Sequence, residues 1–314
     1  MPGYVLQEQL EYALRLGHGR FDLVHLTANT APLLRIGWPP TVVTVHDVMY
    51  LMSRTDLQLS PSPRQALGRL YRLIAFHTGT ERVDHLIADS THTANELARR
   101  VEGLPPITVV HPGVDDRFFE NAPVDLATQV LARYSLDAGR YFLHPGAIDP
   151  RKNTSVVLAA FEKYRTRGGH LDLAVVGLSH AHQAMLRASH TSGVHLLPFV
   201  SNEDLLILLQ HAYSLIYVPS EEGFGYPVVE AMAAGVPAII SSIDVLEEMS
   251  AGAAWTIKPG DSELLADTLA RVTTQPDRLS EIVVNGRIRA QQFTTRRMAE
   301  ETLRVYEEVL ATSR

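Results

Sequence analysis

Two short stretches of this 314-residue chain hold side chains that could grip a phosphate and steer charge. The first is FLHPGAIDPRKNTSVVLAAF, where Gly146 is followed by Asp149-Pro150-Arg151-Lys152-Asn153 and then by a helical pattern. Only three of the 28 basic residues are lysine (Lys152, Lys163 and Lys258), so a lysine beside an arginine in a loop stands out. Two adjacent cations at a helix start make an anion site, because first-turn N–H groups lack intrahelical acceptors and the side chains add charge. A solvated charge pair that merely closes the loop is the alternative. The second stretch is SLIYVPSEEGFGYPVVEAMAAG. Gly223 and Gly225 let the backbone come close to a ligand and aim N–H groups at it. Tyr226 follows, and Pro227 suits the first turn of a helix, where its missing N–H costs nothing. Glu222 lies in the loop and Glu230 about one turn into the helix. Carboxylates there could accept from sugar hydroxyls while the backbone donates to a phosphate. Glu230 is flanked by Val228, Val229, Ala231, Met232 and Ala233, and a carboxylate in so apolar a helix is costly unless it has a partner.

These loops need strands that end where they begin. The chain alternates short β-rich runs with helical patterns, the signature of parallel α/β sheets. The pattern predicts a helix over 4–16, strands over 22–27 and 41–45, a helix over 62–77 and a strand over 85–88. THTANELARRV reads as a short helix and ITVVHPGV as a strand, and DDRFFENAPVD after Val114 reads as a linker. Past Ala138 strands are expected over 141–144, 172–176, 194–197, 214–218, 238–241 and 254–257, with helices between them. Ser201 and Asp204 resemble a capping box, Leu265, Leu269 and Val272 mark one buried helix face, and 295–311 reads as an amphipathic helix. The expectation is α/β: two doubly wound domains, residues 1–117 and 118–314, the second ending in helix 295–311. Ligands of such sheets bind beyond the carboxyl ends of the strands, where both loops lie.

Composition removes several classes of function. There is no cysteine, hence no disulfide framework, thiolate metal site or cysteine nucleophile. A net charge of -7 argues against general nucleic-acid binding, which depends on neutralising phosphates. No run approaches the ~20 apolar residues that span a bilayer. The opening MPGYVLQEQLEYALRLGHGR lacks the basic and apolar regions of a secretory signal. A cytoplasmic protein is the default, with peripheral contact at the inner face of a membrane left open. His180 and His182 are two residues apart, which does not align both rings on one helix face, and no metal is expected.

Glu222 and Glu230 form an E-x7-E spacing within P-S-x-E-G-F-G-x-P-x-x-E-A-M-A-x-G. This resembles the signature of the family 4 retaining glycosyltransferases. Pro150 to Asn153, HPGVDDRF, FVSNEDL near Phe199 and the pattern from Phe293 to Tyr306 are similar to the same family in the same order, over about residues 20–310. The resemblance implies the GT-B fold, two Rossmann-like domains facing a cleft, and transfer of a hexosyl group from a nucleotide-diphosphate sugar to a sugar or lipid-linked acceptor. It implies retention of configuration, no metal or other cofactor, and no carboxylate nucleophile. By the family's motifs, Arg151 and Lys152 would hold the donor diphosphate, in a loop framed by Gly146 and Asn153. Glu222 and the backbone at Phe224 and Gly225, within the stretch Gly223 to Pro227, would touch the transferred sugar, and Glu230 the ribose. His46, which begins HDV after TVVTV, would face the sugar from the first domain. Read from its own surroundings, His46 is a loop imidazole bonded to backbone.

Two departures from the family accompany this. Ala147 stands where many members have arginine. The chain also begins after the strand, Gly-rich loop and long helix that usually open a member, so the first domain is expected to be incomplete. An uncovered edge or face there predicts a homodimer, with helix 4–16 as its best contact. The competing reading is a nucleotide-sugar-binding protein or pseudo-transferase, or one part of a split transferase. A GT-B epimerase fits less well, since the context of the E-x7-E spacing matches transferases better.

Overall fold

A run such as TVVTV, apolar on successive residues, can be buried on both faces only in a parallel sheet covered by helices. The computed structural model describes residues 21–27, 29, 38–52, 63–79, 83–146, 149–187 and 192–312. It divides into Met1–Gly113 with Arg296–Arg314, and Val114–Thr295. The helix expected over 4–16, and Ala147, lie outside the described residues.

The first unit holds a parallel sheet of β1 (Val24–Leu26), β2 (Thr41–Val45), β3 (His85–Ala88) and β4 (Ile107–Val109), in that spatial order. Helix α1 (Pro63–Gly79) precedes β3 and α2 (Thr91–Arg100) follows it. Helix α2 starts where it does because the Ser90 hydroxyl accepts from the Thr93 N–H at 3.0 Å. Alternate residues of β2 serve different cores: Val43 and Val45 pack with Phe76, Leu86 and Leu97, whereas Val42 packs with Ile87 and Val110.

The second unit begins with α3 (Val124–Arg133), β5 (Tyr141–Pro145), α4 (Thr154–Thr166), β6 (Asp172–Val176), α5 (His180–Arg187) and β7 (Val194–Leu196). It continues with α6 (Asn202–Gln210), β8 (Ser214–Tyr217), α7 (Tyr226–Ala234), β9 (Ala238–Ser241), α8 (Asp244–Ser250), β10 (Trp255–Ile257), α9 (Ser262–Thr274) and α10 (Pro276–Ala290). Its strands are parallel in the order β10-β9-β8-β5-β6-β7. From β5 the chain builds outward to β7, then returns to lay β8 on the other side of β5. The order therefore reverses between β5 and β8, the switch point at which such sheets open a binding crevice. Tyr141 and Leu143 serve one core with Ile207 and Val229, and Phe142 the other with Phe161, Ile216 and Leu269.

Three sequence expectations need correction. The Ser201 hydroxyl does accept from the Asp204 N–H at 3.0 Å, but the Asp204 carboxylate closes no box. Arg133 and Tyr134 occupy it at 2.8 and 2.7 Å. The stretch read as a linker is built into the second unit: Asp116–Phe119 form a 3-10 turn with Phe118 buried, and the Val114 N–H donates to the Phe293 carbonyl at 2.8 Å. The division accordingly falls between Gly113 and Val114 rather than at 117. Finally, α11 (Thr295–Thr312) groups with the first unit, not the second. Its Val305 and Val309 pack on Val42, Ile87 and Val110. The Tyr306 hydroxyl bonds His25 Nδ1 at 2.6 Å, and His25 Nε2 bonds Thr44 Oγ1 at 2.7 Å. An amphipathic stripe says that one face is buried, but not against which sheet.

Candidate functional site

The two loops singled out in the sequence leave β5 and β8, the strands that flank the reversal in strand order. Beyond β5 the Gly146 N–H donates to the Val176 carbonyl at 2.8 Å, and a β-carbon on Gly146 would lie 2.5 Å from Val175 Cγ1. The close approach of the two strands there leaves no room for a side chain. The Asp149 carboxylate then accepts from the Arg151 N–H at 3.0 Å and opens a 3-10 turn over Pro150–Lys152. Asn153 adopts the left-handed conformation, φ 53° and ψ 31°, and caps α4. Its side-chain amide donates to the Val218 carbonyl at 2.8 Å, and the Ser220 N–H donates to the Arg151 carbonyl at 2.8 Å. The loops are thus sewn to each other at their bases.

In the second loop, Gly225 has φ 94°, and a β-carbon there would meet Leu246 Cδ2 at 2.5 Å. Pro227 is the second residue of α7. The Phe224 ring is 3% exposed, edge-on to Tyr226 and Phe293 with centroids 5.0 and 5.9 Å away. That ring anchors the loop in the core, so any ligand contact at Phe224 is through its backbone.

Charge is concentrated where the loops meet. Lys152 Nζ donates to Glu222 Oε2 at 2.8 Å and to the Tyr217 hydroxyl, and that hydroxyl donates to the same carboxylate oxygen. Burial pushes the Glu222 carboxyl up, but the Lys152 ammonium and the hydrogen bonds from Lys152, Tyr217 and Gly223 outweigh it and hold Glu222 below the usual carboxylate range. Glu222 is therefore ionised at neutral pH. Arg151 grips Asp149 through Nε, at 2.9 and 3.0 Å from the two oxygens, and through Nη2. Burial raises Asp149 as well, and Arg151 again more than reverses the effect. The cations are 27% and 29% exposed, each matched by a carboxylate, so they are not a freely solvated pair. Glu230 is different. Burial, and secondarily the charge of Asp115, raise it to about 7.

Beneath these loops sits His144, fully buried in β5. Its Nδ1 faces the Ile216 carbonyl at 2.9 Å and its Nε2 faces Thr154 Oγ1 at 3.1 Å. A carbonyl only accepts, so Nδ1 carries the proton and Nε2 accepts from the threonine. Burial lowers its pKa to about 4, and the ring stays neutral.

His46 belongs to the first unit. Its Nδ1 is 2.7 Å from Asp89 Oδ2 and its Nε2 is 3.0 Å from the Thr27 carbonyl. Both partners accept, so both ring nitrogens donate and the ring is an imidazolium. The Asp89 hydrogen bond, against the opposing effect of burial, raises its pKa to about 9. With both protons committed His46 is no base, and it is held by a carboxylate as well as by backbone, rather than by backbone alone. His182 Nδ1 is 2.6 Å from Ser179 Oγ, and among the described residues no group of three His, Asp or Glu is arranged to hold a metal. Sequence reasoning missed Tyr217, His144 and Asp89. Each is a polar side chain at, or just past, the carboxyl end of a buried strand.

The chain is similar to known proteins over most of its length. Residues 135–289 match the family model for glycosyl transferases group 1, and residues 2–118 match that for glycosyltransferase family 4. The chain is 29% identical over 185 residues to the O-antigen chain mannosyltransferase B of Escherichia coli, which covers 56% of this chain and 48% of that protein. The chain thus spans about half the length of that relative. It is 28% identical to the MMP alpha-(1->4)-mannosyltransferase of Mycolicibacterium hassiacum, over 93% of this chain and 72% of the relative. In fold it is similar to Anabaena Alr3699/HepE in complex with UDP-glucose, with a TM-score of 0.70 at 18% identity, over 86% of this chain and 72% of the other. With two parallel α/β units, paired loops at a sheet's switch point and both family models matched in chain order, the chain belongs to the family 4 glycosyltransferases of GT-B fold.

Proposed function

We propose that this chain moves a hexosyl group from a nucleoside-diphosphate sugar to a sugar or lipid-linked acceptor, with retention of configuration. The observation that carries the reading is the convergence of Arg151, Lys152 and Glu222 on two joined loops at the switch point of the second sheet, with Glu230 in the helix that the second loop enters. Breaking the sugar C1–O bond leaves negative charge on the diphosphate and oxocarbenium character on the sugar. Arg151, Lys152 and the first-turn N–H groups of α4 are suited to the leaving phosphate. Glu222 accepts from sugar hydroxyls and Glu230 from the ribose. Glu222 Oε2 already takes bonds from Lys152 and Tyr217, which blunts it as a nucleophile and supports attack by the acceptor itself. Two relatives are named mannosyltransferases and the Anabaena protein is complexed with UDP-glucose, which supports a nucleotide-sugar donor.

The phosphate charge is met by protein groups in this reading, so no metal is required. The test is donor consumption, followed by chromatography of the released nucleoside diphosphate, over a panel of UDP-, GDP-, ADP- and dTDP-hexoses with EDTA present. Turnover that persists in EDTA, with an α-donor giving an α-product by NMR, supports the proposal. Dependence on added Mg²⁺ or Mn²⁺, or an inverted product, contradicts it. Binding without turnover points to the non-transferring alternative.

No described helix is long and apolar enough to cross a membrane. For assembly, we propose a homodimer through the first unit. Leu67, Leu70 and Ile74 form an exposed apolar stripe along α1, a surface of the kind a second copy covers. Light scattering at micromolar concentration tests this, and a monomeric mass overturns it. Peripheral attachment at a membrane surface is the second way to cover such a stripe, and flotation with anionic vesicles would reveal it.

A further inference from the structure

We infer that the hydroxyl of Tyr217 is a positioning group for the two charged loops: it fixes the Lys152 ammonium and the Glu222 carboxylate at one point, and turnover of the sugar donor depends on that fixation. The inference rests on the functional reading above and adds a residue outside the motifs that support it.

The geometry is specific. Tyr217 ends β8 and is 2% exposed, its ring packed in the core beneath the second loop. Its oxygen accepts from Lys152 Nζ and its proton goes to Glu222 Oε2, the atom that Lys152 also reaches at 2.8 Å. Lys152 Nζ also stands 4.7 Å from the centroid of the same ring. An ammonium has three protons, and a lysine stem has many rotamers, so a lysine in a loop is poorly placed unless something fixes it. Two of its protons are fixed here, both by groups anchored in the second loop or the strand beneath it. Burial, and then the charge of Glu222, raise the phenol well above its ordinary range, so Tyr217 stays protonated and keeps donating. Three charged groups act on the phenol besides Lys152: Glu222, and more weakly Glu230 and Arg151. Glu222 itself faces Lys152, Tyr217 and the Gly223 N–H. Among the described residues, the phenol is thus the neutral side chain that bonds both members of the ion pair.

The consequence is that removing one oxygen atom should loosen both functions together. In Tyr217→Phe the ring stays, Lys152 loses an acceptor and Glu222 loses a proton donor. A misplacement of about 1 Å in a charge stabiliser costs up to ~100-fold in rate. The expected result is a kcat for donor turnover lowered about 10- to 100-fold, with KM for the donor changed less than about threefold. The acid limb of the pH profile should move to higher pH, because Glu222 has lost one of the bonds that keep it ionised.

The experiment compares wild type and Tyr217→Phe in two measurements. One is turnover of the panel of UDP-, GDP-, ADP- and dTDP-hexoses as a function of pH. The other is the titration of the Glu222 carboxyl by carbon NMR, assigned by its disappearance in Glu222→Gln. A raised Glu222 titration together with the lowered kcat supports the inference, whereas a titration unmoved by the loss of the hydroxyl overturns it. So does an unchanged kcat. Should Tyr217→Phe fail to fold, 3-fluorotyrosine at position 217 keeps the hydroxyl and makes it the more acidic donor, so Glu222 should titrate lower than in wild type. No downward shift contradicts the inference. If wild type turns over none of the panel, the functional reading and the catalytic half of the inference fall, while the NMR titration still reports whether Tyr217 holds Glu222.

Discussion

Glu230 stands at the edge of ionisation at neutral pH, and this gives nucleotide binding a characteristic pH dependence. Its carboxyl is raised to about 7, chiefly by burial. In the proposed role it accepts hydrogen bonds from ribose hydroxyls, which the ionised form does and the neutral acid does less well. Affinity for a nucleoside diphosphate should therefore climb about tenfold between pH 6 and pH 8, with proton release near pH 6. Calorimetry in buffers of different ionisation enthalpy measures both, and a pH-independent affinity sinks the ribose role. The linkage to stability has the matching sign: the raised carboxyl contributes fully below its unfolded value and loses that contribution as pH rises toward and through 7. Glu230→Gln should therefore gain in relative melting temperature above pH 7. His46 follows the same rule for a different reason. Its pKa is raised to about 9 by Asp89, so its contribution is complete below the unfolded value near 6.5 and fades as pH rises through 9. The ring is 49% exposed, so the effect is small and belongs to the first unit alone. His46→Ala should melt below wild type at pH 6 and together with it at pH 10. Equal melting at both values would show that the imidazolium bonds add nothing. The cations and carboxylates were legible because their types and spacing are unusual; their pairing was not, because Lys152 and Glu222 are 70 positions apart.

At the scale of elements, the Gly225 turn decides how the second loop enters α7. Its φ of 94° is strained for any residue with a β-carbon, and that carbon would press on Leu246. A left-handed residue other than glycine costs ~1–2 kcal/mol, and the crowding adds to it. Gly225→Ala should thus lower the melting temperature by roughly 3–8 °C for a domain of this size. A shift within experimental error would mean that the loop relaxes freely. The strands were the most legible elements, since in β2, β3, β6 and β9 every residue is at least half buried and the apolar run itself marks the bounds. Asp116–Phe119 was not legible as structure: its charges mimic a linker, while the buried Phe118 that fixes it is one residue among them.

At the scale of the molecule, chain order gives a poor account of α11, which leaves the second unit to complete the first. Val305 is buried against Val42, Ile87 and Val110, so Val305→Ala should cost about 2 kcal/mol from lost methyl burial and the cavity left behind. Hydrogen exchange should show 41–45 and 85–88 losing protection while 141–145 keep theirs. Loss in both units at once would mean that they unfold as one. The measurement that tests the central claim most directly is thermal stability of the wild-type chain and of Lys152→Ala with UDP, GDP, ADP and dTDP. One of them should raise the melting temperature of wild type, by about 2.7 kcal/mol of stabilisation at a hundredfold excess over Kd, and Lys152→Ala should need far more ligand for the same shift. If none of the four moves the wild-type transition, or if Lys152→Ala responds as wild type does, the two loops are not a donor diphosphate site and the proposed function is contradicted.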